Sequence, residues 1–201
     1  MTMDLVRGVR FAMATMLLFG GAYPFAVWGL AQTAFRHQAQ GSLVMRADGS
    51  IIGSTLIAQP FEGEAYVHPR PSAVDYNAAS TGGTNFGPTN PDHLKAVGDR
   101  VAAVRQREMF TSGAIPADLV TASGAGLDPH LSPAAVDVQV ARVARARGVS
   151  VDVVRQIVAA HTEPPTFGVL GRSRVNVLQL NLALDADVPR RADTRQDSTH
   201  E

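Results

Sequence analysis

Residues 11–35 run without a charge between Arg10 and Arg36, and no later stretch of the chain matches them. The run reads Phe11-Ala-Met-Ala-Thr-Met-Leu-Leu-Phe-Gly-Gly-Ala-Tyr-Pro-Phe-Ala-Val-Trp-Gly-Leu-Ala-Gln-Thr-Ala-Phe35. At about 1.5 Å per residue, a helix of that length crosses a hydrocarbon core of roughly 30 Å even when tilted. A cleaved secretory signal also starts with basic residues, here Arg7 and Arg10. Its apolar run is shorter, about 7–15 residues, and ends in a small-x-small site that Ala31 and Ala34 are wrongly spaced to form. The pattern predicts a short N-terminal tail over 1–10, one transmembrane helix over 11–35, and a soluble domain after it. Pro24, in mid-span, removes a backbone donor and predicts a local kink. Ala14, Gly21, Ala22 and Ala26 are small residues near one face, where another membrane helix could pack closely.

Past the anchor, the pattern becomes that of an α+β domain over residues 36–188. Ser42–Met45 and Ser50–Ile57 are β-rich runs about an Asp48-Gly49 turn signal, which predicts a hairpin. From Gln59 to Pro91 the chain is rich in Gly, Pro, Ser, Thr and Asn, and so long an aperiodic stretch is uncommon unless functional or disordered. Phe61, Tyr66, Tyr76 and Phe86 recur through it as anchors and favour an ordered loop. Asn90 or Asp92 then caps a helix over Asp92–Met109. Its Leu94, Val97, Val101 and Val104 make one apolar stripe, and Lys95, Arg100, Arg105 and Arg107 a solvated face. Ile115–Thr121 reads as a short extended segment.

A second Gly-rich passage, Thr121–Ala135, leads into a helix with Ser132 at the N-cap, Pro133 at the first turn and Gly148 past the end. Ser150 caps the next helix, Val151 to about His161, with Val153, Val154, Ile157 and Val158 inward; Pro164-Pro165 terminates it. Val175–Leu184 shifts phase near Leu178, which leaves strand and helix both open, with Asn176 as an N-cap favouring a short helix. The tail 189–201 has no apolar periodicity and reads as disordered.

Charge and composition narrow the function classes. The chain balances 18 Lys+Arg against 18 Asp+Glu, which removes the electrostatic case for nucleic acid. It has no cysteine, which excludes disulfides and thiol chemistry. Arg7 and Arg10 nearly balance Arg36 and Arg46 across the span. A short tail before it and a large domain after it favour a cytoplasmic N-terminus and an extracytoplasmic domain.

No chemical motif survives inspection. Lys95 is the only lysine and lies in no phosphate-binding loop. Ser123 lacks the first glycine of a nucleophile elbow, and Ser123, Asp128 and His130 are too local for a triad. His161 and Glu163 with Asp128 and His130 have no metalloenzyme spacing. Arg142, Arg145, Arg147 and Arg155 around Gly148 mimic a helix-turn-helix, but an αα-hairpin with a solvated arginine face fits the charge balance better. The sequence thus predicts no catalytic residue and no metal ligand. Two polar loops remain, each leading into a capped helix, able to hold an anion or to dock on a partner.

Those loops carry a resemblance. Arg70-Pro-Ser-Ala73, Gly82-Gly-Thr-Asn85, Gly87-Pro-Thr-Asn-Pro91, Asp118 through Ala135, His161-Thr-Glu163, Arg174-Val-Asn-Val-Leu178 and Leu180-Asn-Leu-Ala-Leu-Asp185 form a long ordered set. Together they resemble the C subunit of the Kdp potassium-transporting P-type ATPase, the KdpC family, from the anchor to about Asp185. Thr84 stands where that family usually has serine, and Ala58 where glycine is usual.

The resemblance implies a non-catalytic accessory subunit of an ATP-driven, high-affinity potassium uptake complex in a bacterial inner membrane. Its partners would be a channel-like potassium subunit, an ATP-hydrolysing P-type subunit, a small helical subunit and membrane lipid. The family member is required for assembly and activity, and is described as a catalytic chaperone that raises the ATP affinity of the pump subunit. ATP and K+ then belong to the complex, with no cofactor held firmly by this chain. That description conflicts with an extracytoplasmic domain, which cannot meet ATP. The candidate partner-contact residues are Arg70, Asn85, Asn90, Ser123, Asp128 and His130. The same residues could instead tie the loops together by buried hydrogen bonds. Without the resemblance, the chain supports only a membrane-anchored extracytoplasmic binding domain with no transport role.

Overall fold

The computed structural model describes residues 2–189, so the tail read as disordered lies outside the described residues apart from Pro189. The apolar run is helical: α1 (Thr2–Leu17), a π turn (Leu18–Ala22) and α2 (Tyr23–Ala34), followed by the single turn α3 (Arg36–Ala39). Helix begins at Thr2, earlier than the uncharged run, because Asp4 at its first turn suits the positive end of the helix dipole. Pro24 acts one turn ahead of itself. It offers no N–H and crowds the preceding turn, and the ladder widens there so that the Tyr23 N–H reaches the Leu18 carbonyl.

Nothing in α1, the π turn or α2 is buried within the chain. Phe11, Met16, Phe19, Phe25 and Leu30 all stand open. Thr15 and Thr33 donate their hydroxyls to the Phe11 and Gly29 carbonyls at 2.9 Å, which satisfies them as hydrocarbon requires. Thr2–Ala34 is long and apolar enough to cross a membrane, with an 18-residue window of mean hydropathy 1.4. The predicted hairpin follows as β1 (Leu43–Met45) and β2 (Ile51–Ser54). Its turn is tied by Arg46 N–H to Ser50 O and by Ser50 N–H to the Asp48 carboxylate, each 2.8 Å.

The chain divides into two compact units after Ile52. In the second, α4 (Pro91–Glu108), a 3₁₀ turn (Ala117–Leu119), β3 (His130–Leu131), α5 (Pro133–Arg147), α6 (Val151–Ala160), β4 (Thr162–Glu163), β5 (Arg174–Asn176) and α7 (Val177–Asp187) follow in order. The small sheet is antiparallel, in the order β3-β5-β4, with Leu131 and Thr162 both opposite Val175. Val136, Val140 and Val143 of α5 meet Val154, Ile157 and Val158 of α6 and Leu180 and Leu184 of α7 in one core. Each such side chain contributes about 1.5–3 kcal/mol by leaving water.

The helix ends behave as read. Asn90 accepts from Asp92 and His93 N–H, Ser132 from Ala135 N–H, and Ser150 from Val153 N–H, while Gly148 closes α5 at φ 69°. Asn176 caps α7 through Gln179 N–H while its own residue still belongs to β5. The ambiguous stretch is therefore a strand that becomes a helix, which accounts for its shift of phase.

Three expectations change. The extended segment at 115–121 is the 3₁₀ turn, closed by Leu119 N–H to Pro116 O at 3.1 Å. Leu94 is 58% exposed, so the α4 stripe meets the core only from Val97 onward. Most consequentially, the arginine face around Gly148 is split: Arg145 and Arg155 are exposed as expected, but Arg142 and Arg147 are buried, at 1% and 2% exposed. Backbone carbonyls and carboxylates surround both buried guanidiniums, which is how so large a charge can be buried.

Those buried polar groups explain why the aperiodic loop is ordered. Glu64 and Ala65 form a turn, Tyr66 bends, and Val67 and His68 belong to no strand, so side chains from the helices satisfy this backbone instead. Arg142 donates to the Glu64 and Tyr66 carbonyls at 2.7 and 2.9 Å, and Arg147 to the Ala65 carbonyl at 2.8 Å. Asn181 brackets Val67, and Gln139 brackets His68, each amide accepting from the N–H and donating to the C=O. Arg142 also holds Glu108, itself buried, at 2.9 Å, and Arg147 holds Asp185 at 2.9 Å. Arg147 further reaches the Leu184 and Val188 carbonyls at the end of α7, where a cation is favoured.

Candidate functional site

The two polar loops dock on each other. Gly82 N–H donates to Ala125 O at 3.1 Å, Ser123 N–H to Pro71 O at 3.3 Å, and Ala58 N–H to Leu127 O at 2.9 Å. At Gly83 a Cβ would stand 2.7 Å from the Gly124 carbonyl oxygen, so the backbones approach as closely as glycine permits. Ser72 steadies the first loop by accepting from Val74 and Tyr76 N–H, and the Tyr76 hydroxyl donates to Arg70 O at 2.8 Å.

Four of the six candidate residues converge here. Arg70 pairs with Asp128 at 2.8 Å, the Asp128 N–H donates to Ser123 Oγ at 3.4 Å, and the His130 N–H donates to Asp128 Oδ1 at 3.0 Å. Asp128 is held down at about 2 by the His130 imidazole, then by the His130 backbone N–H and the Arg70 guanidinium, against the upward push of burial. The imidazole lies 3.7 Å away, beyond hydrogen-bond length, so the backbone donor and the Arg70 pair are its firmer anchors. The other two candidates stand apart. Asn90 is the cap of α4, and Asn85 adopts a left-handed φ of 54° in the first loop.

Chemically, most polar groups of the junction are satisfied within it, the buried Arg70 Nε excepted. The Ser123 hydroxyl is engaged by a backbone N–H, not by an imidazole. His161 turns Nδ1 to the Ile157 carbonyl of its own helix at 3.0 Å, away from Asp128 and His130. Among the described residues, no three His, Asp or Glu side chains converge as a metal site would need. Beside the junction lies a cavity of about 490 Å³ lined by Arg70, Asp118, His130, Arg172 and Arg174 among others. Asp118 accepts from the Ser132 N–H at 2.7 Å, which fixes the start of α5 against the cavity wall.

Sequence reading did not find the buried set Glu108, Gln139, Arg142, Arg147 and Asn181. A signal for part of it was present, because Gln139 and Arg142 fall among Val136, Val140 and Val143 on the apolar side of α5.

Over residues 5–186 the sequence matches the family described as KdpC: K+-transporting ATPase, c chain. The chain belongs to the KdpC family. The Potassium-transporting ATPase KdpC subunit of Geobacter sulfurreducens is 54% identical over 176 residues, covering 86% of this chain and 92% of that protein. That of Rhodospirillum rubrum is 52% identical over 183 residues, covering 90% and 94%. That of Geobacter metallireducens is 49% identical over 189 residues, covering 92% and 99%. The KdpC match takes in the apolar helix, both loops, the cavity wall and the buried arginines together.

Proposed function

We propose that this chain is the accessory C subunit of an ATP-driven potassium uptake complex, without catalytic activity of its own. The observation that carries it is the pairing, in one KdpC chain, of an apolar helix bare of protein cover with a domain most of whose loop polar groups are used internally. A bare apolar helix suits lipid and neighbouring membrane helices, and Ala14, Gly21, Ala22 and Ala26 are its packing face. A Cβ at Gly21 would meet nothing within 4 Å beyond its chain neighbours and the backbone of its own helix, which leaves that surface open to a partner. The partners are a channel-like potassium subunit, an ATP-hydrolysing P-type subunit and a small helical subunit.

The N-terminus is cytoplasmic and the domain extracytoplasmic, near the potassium entrance, and it acts by protein contact. The rival is a catalytic chaperone binding ATP at the glycine loops. Gly82 and Gly83 face Ala125 and Gly124 across the loop junction, which supports protein contact over a phosphate cradle.

Purification from native membranes in mild detergent, followed by a potassium-stimulated ATPase assay, tests the assignment. Co-purification of a P-type ATPase with that activity is expected; a chain that emerges alone overturns it. Protease added to intact spheroplasts should cut the domain, and a domain cut only after lysis would reverse the placement.

A further inference from the structure

Between β4 and β5 the chain runs Pro164-Pro-Thr-Phe-Gly-Val-Leu-Gly171 and folds back on itself. Thr166 and Leu170 pair as an antiparallel bridge, exchanging two N–H to O bonds of 2.9 Å, and Gly168 N–H closes on Pro165 O at 2.9 Å. Phe167 and Gly168 both take positive φ, 56° and 77°, a region uncommon for a residue with a Cβ. The side chains displayed by this pinned tip are apolar. Phe167 is 89% exposed, Val169 80% and Leu170 59%. Adjacent large apolar groups held in solvent by ordered backbone mark a contact surface.

Directly after the tip, Arg172 and Arg174 form part of the wall of the 490 Å³ cavity, together with Arg70 and His130. Arg174 is paired with Glu163 at 2.8 Å, and Arg70 with Asp128 at 2.8 Å. The Arg70 Nε is nonetheless buried with no acceptor.

We propose that the Phe167–Leu170 tip and the adjoining arginine-lined cavity are one docking surface for a partner protein. The partner seats the tip in an apolar pocket and presents an acidic side chain to Arg172 and Arg70. The inference rests on the subunit reading only in placing that partner inside the same complex.

Charge favours a protein over an anionic lipid surface. Asp118 and Asp128 line the cavity among the arginines, Glu163 pairs with Arg174, and the chain has no net charge. A sheet of phosphates would meet repulsion as well as attraction there, whereas a single carboxylate can be set against one guanidinium fork. The pinned backbone agrees, because a fixed conformation lowers the ordering cost of entering a shaped pocket.

The chain lacks cysteine, so Val169→Cys in the full chain carries a thiol-directed photocrosslinker at the tip alone, with Lys95→Cys on the exposed face of α4 as control. In the detergent-purified complex, Val169→Cys should give an adduct with a co-purifying protein about tenfold stronger than Lys95→Cys. Adding Arg172→Glu should weaken that adduct about tenfold, as loss of one charge-assisted contact would. An adduct with lipid only, no protein adduct, equal adducts at both positions, or indifference to Arg172→Glu would each overturn the docking surface. If the co-purifying proteins include no P-type ATPase, the subunit reading fails, while the docking surface still stands or falls on the adduct.

Discussion

Asn181 in α7 pairs with both backbone polar groups of Val67, accepting from its N–H and donating to its carbonyl, each at 2.9 Å. The two residues lie far apart in sequence, and both are almost fully buried. An amide side chain thus does for Val67 what a neighbouring strand would do in a sheet. Asn181→Leu should keep the volume and strand both groups in an apolar site. The expected loss is on the order of 3 kcal/mol, since each unsatisfied buried group costs about 1–3. Thermal melting of the full chain in detergent would read it, and a Tm unchanged from wild type would refute the role given to Asn181.

Arg142 makes four contacts from full burial: Glu108, Gln139 and the carbonyls of Glu64 and Tyr66. Arg142→Met leaves Glu108 as a buried carboxylate whose remaining partner is the Arg107 side chain at 2.8 Å. Removing one member of a buried pair costs about 3–5 kcal/mol, whereas replacing both can be nearly neutral. Arg142→Met should therefore destabilise more than Glu108→Gln combined with Arg142→Met. Equal losses in a denaturant titration of the two would mean that the carboxylate is not the source of the penalty.

These two predictions concern the part of the fold that periodicity could not show. Helix ends were legible because caps are local: Asn90, Ser132, Ser150 and Asn176 each bond a backbone N–H two or three residues on. The apolar run was legible because length and absence of charge suffice. That the loop is ordered was legible from its aromatic anchors; the bonds that hold Glu64–His68 were not, since they come from α5 and α7, more than 70 residues away. Arginine in a helix reads as solvent-facing unless those acceptors are known. Of the candidate site, Arg70, Ser123, Asp128 and His130 were singled out and do lie together. The ion pair and the mutual docking of the loops needed the fold. The apolar tip at Phe167 escaped notice because a short apolar run after two prolines carries no period.

Neighbouring glycines in the first loop should differ. A Cβ at Gly82 meets only the Val74 side chain at 3.7 Å, an ordinary contact, while one at Gly83 meets the Gly124 carbonyl at 2.7 Å. Gly82→Ala should leave thermal stability within about 0.5 kcal/mol of wild type, and Gly83→Ala should cost about 1–3 kcal/mol as the loops are forced apart. The contrast also bears on the chaperone reading, because a phosphate cradle would suffer from both changes alike. ATP binding abolished by Gly82→Ala at unchanged Tm would overturn the purely structural account of this glycine.

His68 is the titrating group nearest to neutral pH with a resolved shift. Burial lowers its pKa below 6.5, outweighing the contact between its Nε2 and the Gly63 carbonyl. A depressed folded pKa means that the unfolded chain takes up the proton first as pH falls. Stability should thus be full above about 6.5 and decline through the range below it. His68→Gln should flatten that decline between pH 7 and pH 5, and a wild-type Tm constant over this window would show that the ring is not held neutral.

Asp128 titrates in a lower window with the same sign. Its carboxyl is held at about 2, below the ordinary 3.8, by His130 and by Arg70. The folded chain therefore resists protonation that the unfolded chain accepts, so the stabilising contribution is complete above about 4 and fades as pH falls through 2. Asp128→Asn removes the charge that Arg70 pairs with while keeping an oxygen to accept from the His130 N–H. The Tm gap between wild type and Asp128→Asn should be widest near pH 5 and should close toward pH 2, a comparison in which the other carboxylates cancel. Arg70→Gln should produce a similar gap, and combining the two should cost less than the sum of the singles, because residues in direct contact are not additive. Full additivity would mean that Arg70 and Asp128 act separately, and the loop junction would then be held by its backbone bonds alone.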